Sequence, residues 1–164
     1  MTREEFIDFI SAQQEPLRLF LLGLCGDEAE ADDIAQDALV NAYVASESFR
    51  GASRFSTWLY RIAYNCFIDR KRSQKLPPES LDSPAVQALQ GLEASDASFR
   101  HEDLWRAIAR LPEKERATLL LHYMEDRPVK EVAAILDIPA GSVRAYLTRG
   151  RQHIKTYLEK WKMK

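Results

Sequence analysis

The chain has 164 residues, 46% hydrophobic and 29% charged, which is ample for a packed core and excludes a disordered chain. Its formal net charge of −2 hides two opposed halves, since residues 1–73 hold 8 Lys/Arg against 12 Asp/Glu and residues 100–164 hold 14 against 9, so one end suits phosphates and the other a different partner. Two widely separated cysteines, Cys25 and Cys66, with no histidine at metal-ligand spacing, exclude a disulfide scaffold and a zinc site; no metal or cofactor is expected.

Helical periodicity dominates and no alternating strand pattern competes with it, so the chain reads as all-α. The first helix is expected from Arg3 to Leu24. Its apolar stretch, Leu17 to Cys25, is far shorter than the roughly 18 residues of a membrane span. The charges at Arg3, Glu4, Glu5 and Asp8 do not fit a cleavable signal. A cytoplasmic protein without membrane insertion is expected. The second helix, Glu28 to Ser48, turns Ile34, Ala35, Ala38, Leu39, Ala42 and Tyr43 to one apolar face. On its opposite face Asp33, Gln36, Asp37 and Asn41 surround Val40 and Val44, apolar groups that a monomer has no reason to expose. This face reads as a protein docking site.

The third helix, Phe55 to Gln74, points Trp58, Leu59, Ile62, Ala63 and Cys66 toward the core and leaves Tyr60, Arg61, Tyr64, Ile68, Lys71 and Arg72 on the reverse side. Rings interleaved with cations suit separated bases, because any base stacks on a flat ring while the cations hold the backbone. The loop before it carries Phe49, Arg50, Ser53 and Arg54 among small residues and suits an extruded base. Residues 75–99, with Pro77, Pro78 and Pro84, read as a linker in which Val86, Leu89 and Leu92 recur at the spacing of one short helix.

Four more helices are expected, at Arg100 to Arg110, Glu113 to Met124, Pro128 to Leu136 and Ser142 to Lys160. The last two, joined by a turn at Asp137 to Gly141, have the proportions of a helix-turn-helix. Pro128 suits a first turn, Gly141 gives the turn its freedom, and Ser142 caps the second helix. On that helix Val143, Leu147, Gly150, Ile154 and Leu158 form the packed face. Ser142, Arg144, Ala145, Thr148, Arg149, Arg151, Gln152 and Lys155 are left to meet DNA, with guanidinium forks for guanine edges or phosphates. A stand-alone operator-binding regulator satisfies these features too. An enzyme does not: His101, His122 and His153 have no evident catalytic partners, and there is no phosphate-binding glycine loop.

The run from Asp33 to Tyr43, then Phe49-Arg50-Gly51, Phe55 to Asn65 and Asp69-Arg70-Lys71-Arg72, closely resembles region two of the sigma-70 family. Leu111-Pro112-Glu113, Tyr123, Glu131-Val132-Ala133, Ile138 to Arg144 and Arg149-Gly150-Arg151 resemble region four. With no room for the further domains of housekeeping members, the chain looks like the extracytoplasmic-function (ECF) group. The resemblance implies two small helical domains, at 1–74 and 100–164, and a promoter-specificity subunit that binds core RNA polymerase at its largest-subunit clamp and its flap. It implies that Asp33, Gln36, Asp37, Val40, Asn41 and Val44 grip the clamp. Phe49, Arg50, Ser53, Arg54, Tyr60, Arg61, Tyr64, Lys71 and Arg72 would open and hold the minus-ten element of promoter DNA, and the helix from Ser142 would read the minus-thirty-five element. It also admits an anti-sigma factor as a partner. Asp126, where a glycine is common, and Ala145-Tyr146, where Ser-Arg is more familiar, depart from the pattern.

Overall fold

The protein is described here by a computed structural model covering residues 2–49, 51, 54–74 and 98–162. Arg50, Ser53 and residues 75–97 of the linker, with its expected short helix, lie outside the described residues, while Ser98 and Phe99, expected in the linker, already belong to the next helix.

Helix α1, Arg3–Cys25, begins at a reciprocal cap: the Glu5 N–H donates to Thr2 Oγ1 (3.1 Å) and the Thr2 N–H to Glu5 Oε2 (2.9 Å). Thr2→Ala is therefore expected to destabilise the protein by about 0.5 to 2 kcal/mol, read as a lowered denaturant midpoint at constant slope. Gly26, at φ 72°, ends α1 and returns its N–H to Leu22 O, a left-handed position that glycine adopts without strain. Asp27 then caps α2, Glu28–Ala45, through the Glu30 N–H. A 3-10 turn at Ser46–Ser48 finishes the stretch expected as one helix to Ser48. Helix α3 is Phe55–Gln74.

The second half comprises α4, Ser98–Arg110, and α5, Glu113–Leu119, which widens into a π-helical turn at Leu120–Met124. After it come α6, Val129–Leu136, and α7, Ala140–Lys162. No strand occurs among the described residues, and the all-α expectation holds.

In the N-terminal unit, α2 presents the small residues Ala31, Ala38 and Ala42 beside Ile34, all fully buried, so α1 and α3 can pack close against it. The other side of α1 is also covered. Leu21, Leu22, Gly23, Leu24 and Cys25 are buried consecutively, and a helix buried all round needs neighbours on every side. The far neighbour is the C-terminal unit: a Cβ built on Gly23 would lie 2.9 Å from Leu120 Cδ1. Arg116 of α5 donates to the Leu24 carbonyl at the end of α1, a cation at the negative end of the helix. A single apolar cluster therefore runs through both units, from Leu17 and Phe20 to Ile135 and Leu147.

Candidate nucleic-acid interface

Helix α7 presents the basic surface largely as expected. Val143, Leu147 and Gly150 are buried, while Arg144, Thr148, Arg149, Arg151, Gln152 and Lys155 are exposed and Ala145 is half-buried. The packed side tolerates no enlargement, because a Cβ on Gly150 would sit 2.8 Å from Leu119 Cδ1. His153 Nδ1 lies 2.6 Å from the buried Glu115 carboxylate and Arg151 donates to Tyr123 Oη at 2.8 Å, so two polar contacts fix the helix on α5 and its π turn.

The turn before α7 differs from expectation in detail. Asp137, at φ 56°, supplies the left-handed residue, whereas Gly141 has no positive φ and lies within the helix. Pro139 O accepts from the Ser142 and Val143 N–H groups, so α7 starts at Ala140 and Ser142 is not its cap. The reason is local: an aspartate tolerates the left-handed turn, and Ala140-Gly141 puts no obstacle in the way of two further helical residues. Asp126, the departure from glycine, also has positive φ, at 53°, which is why glycine suits that position.

On α2, Asp33, Gln36, Asp37, Val40, Asn41 and Val44 are all exposed, Val40 at 62% and Val44 at 76%. Tyr43, expected on the inner face, is 53% exposed and widens this apolar strip. Arg70 of α3 binds its acidic margin, 3.3 Å from Asp33, 3.7 Å from Asp37 and 4.0 Å from Glu30. Burial raises the pKa of Glu30 and the Arg70 charge partly offsets the rise. Asn41 Nδ2 donates to Cys66 Sγ at 3.3 Å. Helical periodicity does not single out Arg70, because its partners lie on another helix.

On the reverse face of α3 the two tyrosines contradict the sequence expectation of exposure. Tyr60 is fully buried and Tyr64 is 3% exposed. They are covered by the C-terminal unit: Tyr60 Oη donates to Glu125 at 2.5 Å, and the Arg127 guanidinium lies over the Tyr60 ring, 4.5 Å from its centroid. Tyr64 Oη reaches Glu113 at 3.5 Å and Lys71 Nζ pairs with the same carboxylate at 2.9 Å. Arg54 meets Glu131 at 3.4 Å and Arg61 meets Asp137 at 3.6 Å. Burial, with the neighbouring carboxylates, raises the pKa of both tyrosines. Burial likewise raises that of Glu125, although Tyr60 and Arg127 pull it back. Phe49 is half-buried, packed edge-on against Phe55, while Arg54, Arg61, Lys71 and Arg72 remain exposed. Trp58, Ile62 and Cys66, expected in the core, are half-buried. Helix α3 thus packs on two sides, which a single helical wheel cannot report.

Beside α7, an apolar groove of about 860 Å³ is lined by Leu104, Trp105, Leu119, Tyr123, Ile154 and Leu158 among others. No group of metal-ligating side chains occurs among the described residues. No helix of the described residues is long and apolar enough to cross a membrane.

Comparison with known proteins decides the family. Residues 2–76 match the family described as Sigma-70 region 2, and residues 101–154 match Sigma-70, region 4. The chain belongs to the sigma-70 family. It is 32% identical to the ECF RNA polymerase sigma factor SigW of Bacillus subtilis over 169 residues, 95% of this chain and 90% of that protein. Identity to the ECF RNA polymerase sigma-E factor of Escherichia coli K12 is 35% over 137 residues, 76% of this chain and 72% of that one. These relatives put the sigma factor in the ECF group. Its fold resembles that of the sigma factor RpoE, solved with the anti-sigma factor NepR from Bartonella quintana, at a TM-score of 0.76 and 22% identity over 95% of this chain and 98% of that one. CnrH, solved with the cytosolic domain of CnrY, gives a TM-score of 0.73 at 21% identity over 97% and 90%.

Proposed function

We propose that this sigma factor directs promoter recognition and melting through three surfaces, and that it has no catalytic activity of its own. Residues 1–74 hold core polymerase and the minus-ten element, 75–99 tether, and 100–164 read the minus-thirty-five element. The observation that carries the reading is the α2 strip, where Val40 and Val44 stand exposed among Asp33, Gln36, Asp37 and Asn41. A β-branched strip with a charged margin fits a protein partner, and the clamp of core polymerase is that partner. The groove beside α7 takes the flap.

Phe49, Arg50, Ser53, Arg54, Tyr60, Arg61, Tyr64, Lys71 and Arg72 capture the opened strand, rings stacking on bases and cations following the backbone. Ser142, Arg144, Ala145, Thr148, Arg149, Arg151, Gln152 and Lys155 meet the upstream duplex in the major groove. The protein acts in the cytoplasm, on the nucleoid through polymerase. An anti-sigma factor is a further partner, as for the sigma factor RpoE solved with NepR.

Run-off transcription with sigma-free polymerase of the same host on a genomic promoter library tests the whole reading. Start-site-dependent RNA is expected, and its absence refutes the assignment. A stand-alone regulator would instead footprint duplex DNA without polymerase. Arg144→Ala is expected to weaken upstream recognition by about 1 to 3 kcal/mol, the cost of a lost bidentate base contact. Unaltered footprints and sequence preference would remove Arg144 from the reading set.

A further inference from the structure

We propose that Tyr123 is a positioning residue for the upstream DNA: its hydroxyl aims Arg151 at a backbone phosphate. The inference rests on the reading of α7 as the helix that meets the minus-thirty-five duplex. On that helix Arg144, Thr148, Arg151 and Lys155 follow one another at helical spacing, and all four are exposed. Base edges are met by the N-terminal residues of a recognition helix. Arg151 stands two turns beyond Arg144, about 10 Å farther along the axis. Its target is therefore the sugar-phosphate backbone, and contacts of that kind fix the register of a protein on the duplex.

The chemistry of the contact favours this role. Arg151 Nη1 donates to Tyr123 Oη at 2.8 Å, and among the described residues no carboxylate pairs with Arg151. A neutral hydroxyl sets the direction of a guanidinium and leaves its charge for a phosphate, whereas Arg54, Arg61 and Arg70 are each met by a carboxylate. An arginine held in advance also loses less rotamer freedom when the phosphate arrives. Tyr123 is itself braced. It lies in the π turn Leu120–Met124, which the Glu125 N–H closes by donating to Leu120 O at 3.2 Å. The His122 ring meets it edge-on, 4.8 Å between centroids, and His122 Nδ1 lies 2.8 Å from the Arg127 carbonyl oxygen. Turns of this kind are rare and recur at functional sites. This one leaves Tyr123 54% exposed, so core packing does not account for the ring.

The test uses the full chain assembled with saturating core polymerase. It is titrated against a labelled promoter duplex from the run-off library, over a series of salt concentrations and at a temperature that keeps the strands closed. Tyr123→Phe, which keeps the ring and deletes the hydroxyl, is compared with Arg151→Ala and with the two combined. Affinity for core polymerase and circular dichroism are measured for each.

Arg151→Ala is expected to weaken promoter binding and to lower the salt slope by about one, the mark of a lost phosphate contact. Tyr123→Phe is expected to weaken binding by about 2- to 12-fold at unchanged slope, because the phosphate contact survives but a loose side chain must be ordered to make it. In the Arg151→Ala background the same change should cost nothing, since the hydroxyl acts only through Arg151. Equal losses in both backgrounds would mark a merely structural hydroxyl and overturn the proposal. A loss of core-polymerase affinity in place of promoter affinity would also overturn it, by assigning Tyr123 to the groove that it lines. A silent Tyr123→Phe beside a weakened Arg151→Ala would sink the positioning role alone, whereas wild-type binding by Arg151→Ala would remove Arg151 from the DNA set and the proposal with it.

Discussion

Asp37→Arg is expected to weaken binding to core polymerase by about 30-fold or more, a loss of at least about 2 kcal/mol, as for a residue at the centre of a docking surface. Asp37 lies on the exposed strip with its side chain 67% exposed and Arg70 at 3.7 Å, so a second arginine there meets like charge and inverts the field offered to the partner. The fold should survive, because Arg70 retains Glu30 and Asp33. A fluorescence titration against core polymerase, with circular dichroism on the same sample, measures both. Wild-type affinity in a folded variant would take Asp37 out of the interface.

Tyr60→Ala should act at two stages. In the free protein it empties a fully buried site, for which large-to-small changes of aromatic residues cost about 3 to 5 kcal/mol, so the thermal midpoint falls. In the polymerase-bound protein it removes a stacking platform worth about 1 to 3 kcal/mol per base. Run-off synthesis from duplex promoter should then drop by about 5- to 150-fold while affinity for core polymerase stays put. A template opened in advance at the minus-ten element should recover part of the loss. Full transcription with a lowered midpoint would leave Tyr60 a purely structural residue.

The contrast between these two residues shows how far the sequence reaches. Asp37 and its neighbours were legible because α2 has a partner on one side only, so a helical wheel sorts its residues correctly into packed and open. The basic side of α7 was legible for the same reason. Tyr60 and Tyr64 were misjudged because α3 has neighbours on two sides. A signal existed: the uninterrupted apolar run from Phe20 to Cys25 in α1 has no solvent face, and α2 and α3 together cannot cover it. The other half of the chain supplies the missing wall through Leu120, against Gly23, and through Arg116, against Leu24.

The amino-acid order alone determined the all-α class, the boundaries of most helices, the acidic and basic halves, the family regions and the exposed strip of α2. All of these follow from periodicity, end signals and local chemistry within a few turns of helix. Only the tertiary structure decided that the two units share one apolar cluster, that Arg70 gathers the acids of α2, that Asp137 rather than Gly141 makes the turn, and that Glu113, Glu125, Glu131 and Asp137 cover α3. Apart from the turn at Asp137, which local backbone geometry sets, those facts depend on contacts between residues tens of positions apart. A local pattern records which side chains leave water, but not which distant segment takes water's place.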